Sequence, residues 1–183
     1  DNTVYTYHLR KGVLFHNGQE MKASDVVASM NRWIENYGNA ASLVGDARFE
    51  EVDDYTVQIT LATPSIFLNE LIAGAGNTAI IFPASSLDSV DPETGMLTEF
   101  IGTGPYVFDE WATDQYIKLT KFDDYVPYGT KGEIDGYAGY KEAAVETVYY
   151  DFVPENSTRI SGLQTGEYDF AYRLPTDNYE QFE

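Results

Sequence analysis

The chain has 183 residues, 11 basic against 30 acidic side chains for a formal charge of −19 at pH 7, no cysteine, and 43% hydrophobic with 15% aromatic residues. That length supports one good core, or one domain with a small appended subdomain, and the apolar content argues against disorder. The charge repels phosphate backbones and anionic headgroups, which argues against nucleic acid as a partner, and the lack of cysteine excludes a disulfide scaffold and a thiolate metal site.

The acidity itself has two readings, a solvated surface or attraction of cationic ligands such as basic peptides. No apolar run approaches the ~18 residues of a membrane span, and no charged n-region with an h-region opens the chain. The 15 tyrosines fit a sheet-rich protein with polar-tipped aromatic faces.

Residues 5–10 alternate Tyr, Thr, Tyr, His, Leu, Arg, which predicts a half-buried strand with Tyr5, Tyr7 and Leu9 inward. Asn17-Gly18 is a turn signal. From Ser24 the period changes: Val26, Val27, Met30, Trp33, Ile34 and Tyr37 form one helical stripe. Ser24 is the expected cap, Asp25 complements the helix dipole, and Gly38 is the expected stop. Asp53-Asp54 reads as a turn into a strand with Tyr55, Val57, Ile59 and Leu61 on one face.

Pro64-Ser65 is expected to begin a short apolar helix through Ile72, closed by Gly74, and Ala79–Phe82 to form a buried strand ended by Pro83. Residues 84–101 read as a surface helix and loop. Val107–Trp111 and Tyr116–Phe122 predict an antiparallel pair, and residues 127–144 a long exposed loop. Val145–Val153 is an expected strand, Glu155–Thr165 a helix with Gly166 as its C-cap, and Tyr168–Tyr172 another strand. Pro175-Thr176-Asp177 is expected to start a last helix. Hairpins dominate this order, so the fold class is α+β, or mixed α/β, with antiparallel-rich sheets and flanking helices.

Catalytic signatures are weak. His8 and His16 are the only imidazoles, one on the outward face of a strand and one beside a turn, and both read as surface residues. No Gly-x-Ser-x-Gly elbow occurs. Acidic neighbours such as Asp53-Asp54 and Asp123-Asp124 seldom face one another across a cleft, so they do not make a glycosidase pair. The segment Asp88–Glu93 departs from EF-hand spacing and contains a proline. Gly102-Thr103-Gly104-Pro105-Tyr106 lacks the Lys-Ser/Thr of a phosphate loop, and strand follows where a helix should. No metal ligand and no cofactor is assigned.

Three stretches share an order with one family. They are Tyr5 to Gly18 running into Ala23-Ser24-Asp25-Val26-Val27, then Gly102 to Tyr106, then Leu163-Gln164-Thr165-Gly166-Glu167-Tyr168-Asp169. Together the chain resembles the large extracellular solute-binding proteins of ABC importers, of the peptide/nickel (dipeptide/oligopeptide) type. It departs from the family at Lys22-Ala23-Ser24-Asp25, where Thr-Ala-Glu-Asp is usual. A second departure is Lys121 to Val126, where Arg-Asn-Pro-x-Tyr-Trp is common.

The resemblance implies a two-lobed type II periplasmic-binding-protein fold that closes over its ligand. Residues 1–183 correspond to part of lobe I: about 1–100 a subdomain with strand-turn-helix and hairpin, and about 101–183 the sheet-forming part of the main lobe. The hinge, lobe II, secretion signal and a leading segment would lie elsewhere in a longer protein. The implied function is capture of peptides outside the membrane, at the cell surface on a lipid anchor or in the periplasm, by a monomer that delivers them to an ABC permease. Nickel chelates, oligosaccharides, opines and other small solutes are alternatives on the same scaffold. A secreted carbohydrate-active enzyme or an adhesion module are the rivals of another class.

Within the chain, the loop Gly74-Ala75-Gly76-Asn77-Thr78 is the candidate cleft lining, with Gly76, Asn77 and Thr78 as ligand-binding residues that expose backbone donors and one amide. The aromatic loop around Tyr137 and Tyr140 is the second candidate.

Overall fold

The computed structural model describes residues 2–177 except 75, 77, 78, 134, 136 and 137. The chain divides into two compact units: Asp1–Phe108 with Lys121–Glu146, and Asp109–Thr120 with Thr147–Glu183.

The first unit is built on three antiparallel strands, β1 (Val4–His8), β2 (Phe49–Asp53) and β3 (Thr56–Thr60), in the order β1-β3-β2. Register places Tyr5 opposite Ile59, Tyr7 opposite Val57 and Phe49 opposite Ile59. Directly paired residues share a face, so these five side chains form one apolar surface. The Asp53 carboxylate accepts the Tyr55 N–H at 2.8 Å and closes the β2–β3 turn, and this bond holds its pKa below the ordinary value.

Helix α1 (Ala23–Asn36) covers that face. Ala23, Val26, Met30, Trp33 and Ile34 are buried at helical spacing, and they cluster with Phe49, Val57, Ile59, Leu61 and Leu68. Ser24 does not cap α1: the helix already begins at Ala23, with Lys22 at the cap position. The Asp25 carboxylate takes that role, accepting the Lys22 N–H at 2.9 Å and the Ala84 N–H at 2.8 Å. A carboxylate in the first turn satisfies orphan donors and complements the helix dipole, which makes a hydroxyl cap unnecessary.

Gly38 does not end the helical region. The break falls at Tyr37, whose backbone is extended, and Gly38 opens a second helix, α2 (Gly38–Val44). This short helix buries Ala40 and Val44.

Residues 79–82 are not a strand. Their backbone is held by a helix side chain: Ser29 Oγ accepts the Phe82 N–H at 3.1 Å and donates to the Phe82 carbonyl at 3.2 Å. One buried hydroxyl thus satisfies both polar groups that a neighbouring strand would have satisfied. Helix α3 (Leu68–Ile72) starts later than Pro64-Ser65, and a 3-10 turn occupies Ala84–Ser89.

The second unit holds most of another antiparallel sheet, β4 (Tyr106–Ala112), β5 (Tyr116–Lys121) and β6 (Thr147–Asp151), in the order β4-β5-β6. Gln115 N–H bonds the Ala112 carbonyl at 2.9 Å across the tight turn. Ile117 faces Tyr150 and Leu119 faces Val148. Lys118 pairs with Asp109 at 2.6 Å.

Helix α4 (Asn156–Thr165) ends at Gly166, as the sequence predicts, in the left-handed conformation with φ 76°. A Cβ is disfavoured there, and the turn lets the Glu167 and Tyr168 N–H groups reach the Gly162 carbonyl. The stretch 168–172 is not a strand. Tyr168 instead lays its ring over Gly162. Of the expected last helix, the part beyond residue 177 lies outside the described residues.

Candidate functional site

Two of the sequence motifs meet in the first unit. His16 N–H bonds the Gly102 carbonyl at 2.9 Å, and the Gly102 N–H points back to His16 Nδ1 at 3.2 Å. His16 Nε2 lies 3.0 Å from the Gly104 carbonyl, and the ring edges onto Phe122 at 5.1 Å. A carbonyl only accepts and an amide N–H only donates, so in this clasp Nε2 is the donor and Nδ1 the acceptor. His16 is therefore half-buried and structural, unlike the surface residue the sequence suggests. His8 is exposed, as expected, with Nδ1 3.3 Å from Thr56 Oγ1.

A second polar cluster sits beyond β3. Glu20 accepts the Gly12 N–H at 2.7 Å and the Tyr55 hydroxyl at 2.8 Å, and pairs with Lys22 Nζ at 3.1 Å. These partners, the Gly12 amide first, hold its carboxyl down at about 2. Lys22 also donates to the Tyr55 hydroxyl and stands over that ring at 4.0 Å. Every charge here is matched internally, which marks a structural clasp and leaves nothing for a ligand.

The open feature lies beside α3. Tyr37, Phe67, Glu70, Leu71, Gly74 and Gly76 line a cleft of about 380 Å³. Its position follows from β1. The Tyr5 hydroxyl bonds the Ser65 carbonyl and the Tyr7 hydroxyl donates to Asn69 Oδ1 at 2.6 Å, so two strand tyrosines pin the start of α3. Burial, and then the neighbouring Tyr5, pushes the Tyr7 hydroxyl up to about 12, which keeps it a donor.

From below, Leu68 is fully buried and Leu71 and Ile72 pack on the core. This leaves Phe67 at 58% exposure and Glu70 on the open side. Gly74 closes the helix tightly: a Cβ there would stand 3.2 Å from the Leu71 carbonyl oxygen. The far wall is Tyr37, whose ring packs on Trp33 at 5.6 Å and whose hydroxyl accepts from Asn39 Nδ2 at 3.2 Å.

Of the sequence-predicted residues, Gly76 lines this cleft, whereas Asn77 and Thr78 lie outside the described residues. Tyr140 lines a smaller hollow of about 170 Å³ with Tyr128 and Glu133, and Tyr137 lies outside the described residues. Sequence reading missed Tyr37, Phe67 and Glu70. Phe67 at the cap of α3 and Glu70 three residues on carried a usable signal. Tyr37 did not, because its helical stripe reads as core. Among the described residues no group of three or more His, Asp or Glu is placed to hold a metal ion, and no helix is long and apolar enough to cross a membrane.

The profile of the bacterial extracellular solute-binding proteins, family 5 Middle, matches residues 1–183. The glutathione-binding protein GsiB of Shigella boydii is 34% identical over 99% of this chain, which covers 32% of that protein. A probable peptide ABC transporter periplasmic-binding protein, y4tO, of Sinorhizobium fredii is 34% identical over 97% of the chain and 33% of its own length. In structure, AgaA from A. tumefacien R10, solved with agropinic acid, superposes with a TM-score of 0.79 at 29% identity, over 98% of this chain and 34% of that one. The chain thus spans about a third of the length of the relatives it matches. The mixed α+β architecture with antiparallel sheets is that of type II periplasmic binding proteins, and the chain belongs to the family 5 bacterial extracellular solute-binding proteins.

Proposed function

We propose that this chain is part of lobe I of a receptor that captures peptides outside the membrane and hands them to an ABC permease. The observation that carries the reading is the 34% identity, over nearly the whole chain, to a protein named as a probable peptide ABC transporter periplasmic-binding component. The cleft supports it physically. It is concave, has aromatic and aliphatic walls, and is flanked by a glycine-containing loop whose backbone a ligand can approach closely.

Residues up to about 100 form a subdomain in this reading, and those from about 101 belong to the main lobe. The receptor works as an extracytoplasmic monomer without catalysis. In support, the family and the named relatives are binding proteins. A second reading, uptake of a small polar solute, draws on AgaA, which was solved with agropinic acid.

Native mass spectrometry of the full-length protein separates the two. Co-purified adducts spaced as short peptides support the first reading. A single discrete small mass supports the second and overturns peptide capture.

A further inference from the structure

We infer that the cleft at Tyr37, Phe67 and Glu70 selects ligands bearing a cationic side chain on an apolar stem, so that arginine- and lysine-containing peptides are preferred. This rests on the reading of the chain as part of a peptide receptor and names the chemistry of the side chain it favours.

Among the described residues, Glu70 is the only charged one lining the cleft. It has no hydrogen bond or ion pair with any described residue. Several cations of the same unit are committed elsewhere: Arg32 to the Gly95 carbonyl at 2.6 Å, Arg48 to the Ala47 carbonyl at 2.9 Å, and Lys22 to Glu20. The contrast with Glu20 is informative, since that carboxylate is met by three internal partners and Glu70 by none among the described residues.

Beside Glu70 stand surfaces that suit the rest of such a side chain. Phe67 exposes most of its ring and its neighbour Ile66 is 66% exposed, so water wets an apolar wall next to an unmatched negative charge. A guanidinium or ammonium on a hydrocarbon stem matches both at once: the head meets the carboxylate, the stem covers Leu71 and Phe67, and a ring face attracts the cation. An acidic side chain would set like charges together, and a neutral one would leave Glu70 without a partner. The net charge of −19 works in the same direction, drawing cations toward the surface at low ionic strength.

The test is calorimetric titration of the full-length protein with two nearly isosteric probes, the tripeptide Ala-Arg-Ala and the same peptide with neutral citrulline at its centre. A trialanine titration serves as the reference for peptide binding as such. The arginine peptide is expected to bind about ten-fold tighter than its citrulline twin, and the Glu70→Gln protein to lose that ratio by weakening the arginine peptide. An unchanged thermal unfolding curve shows that the variant is folded.

If both peptides bind equally, or the ratio survives in Glu70→Gln, the cation preference is overturned while peptide capture stands. If none of the three binds, peptide capture falls and this inference with it.

Discussion

The two units solve the same problem, a three-stranded antiparallel sheet, in opposite ways. In the first, one face of β1-β3-β2 is sealed by α1, with α2 packed on that helix, and the strand residues that point inward cluster with Met30, Trp33 and Ile34. In the second, the aromatics of β6 are left uncovered by these 183 residues: Tyr149 is 54% and Tyr150 62% exposed, and Phe152 beyond the strand is 64%. Buried residues in that unit are few among those described, with Ile160 and Gly162 the ones in α4. The first sheet is therefore held by core packing and the second by its ladder, cross-strand ring contacts and the Lys118–Asp109 pair. The cleft lies in the packed unit, where Tyr37 and the α3 residue Leu71 that line it rest on the same core.

The contrast breaks most easily in the packed core. Ile34→Ala, which empties a fully buried site, is expected to cost about 2–5 kcal/mol, whereas Tyr150→Ala should cost under ~1 kcal/mol in the 183-residue chain, where that ring is exposed. Urea unfolding of the 183-residue variants measures both, and equal losses would remove the distinction between the units.

A smaller effect sharpens the account of the second unit. Gly166→Ala puts a Cβ on a left-handed residue and is expected to cost about 1–2 kcal/mol. Hydrogen exchange should show the loss as faster opening of the last turn of α4, while the amides of β3 keep their protection. Slowed exchange in α4 would contradict the cap.

The smallest effect is a pH slope in the first unit. Glu20 is held at about 2, below its ordinary 4.5, so its contribution is present above pH 4.5 and disappears as the pH falls through about 2. Glu20→Gln should flatten the acid side of the stability curve within that window and leave the curve's shape above about pH 5 unaltered. An unaltered acid slope in the variant would show that the Gly12, Tyr55 and Lys22 contacts do not favour the ionised form.

Sequence by itself determined what depends on nearest neighbours and on period. The alternation at Tyr5 and Tyr7, the stripe from Val26 to Ile34, the turn before Gln115 and the Gly166 cap are local consequences of side-chain spacing and backbone freedom, and the structure has them where the residues predict. The glycine-rich loop between apolar segments singled out Gly76 in the sequence, and Gly76 is among the residues that line the cleft.

Tertiary structure decided the rest. Residues 79–82 have the composition of a strand, but the Ser29 hydroxyl, 53 residues from Phe82, takes the backbone hydrogen bonds of Phe82. Tyr168 to Tyr172 likewise read as a strand until Tyr168 is drawn onto Gly162. His16 becomes a clasp only because Gly102 and Gly104 arrive beside it, and Glu70 becomes a candidate ligand group only because no cation does among the described residues. For residues 79–82, His16 and Glu70 the physical reason is common. A backbone bond or a charge is satisfied by whichever partner the folded chain brings within about 3 Å, and that choice is made by packing between distant segments, which no local pattern encodes.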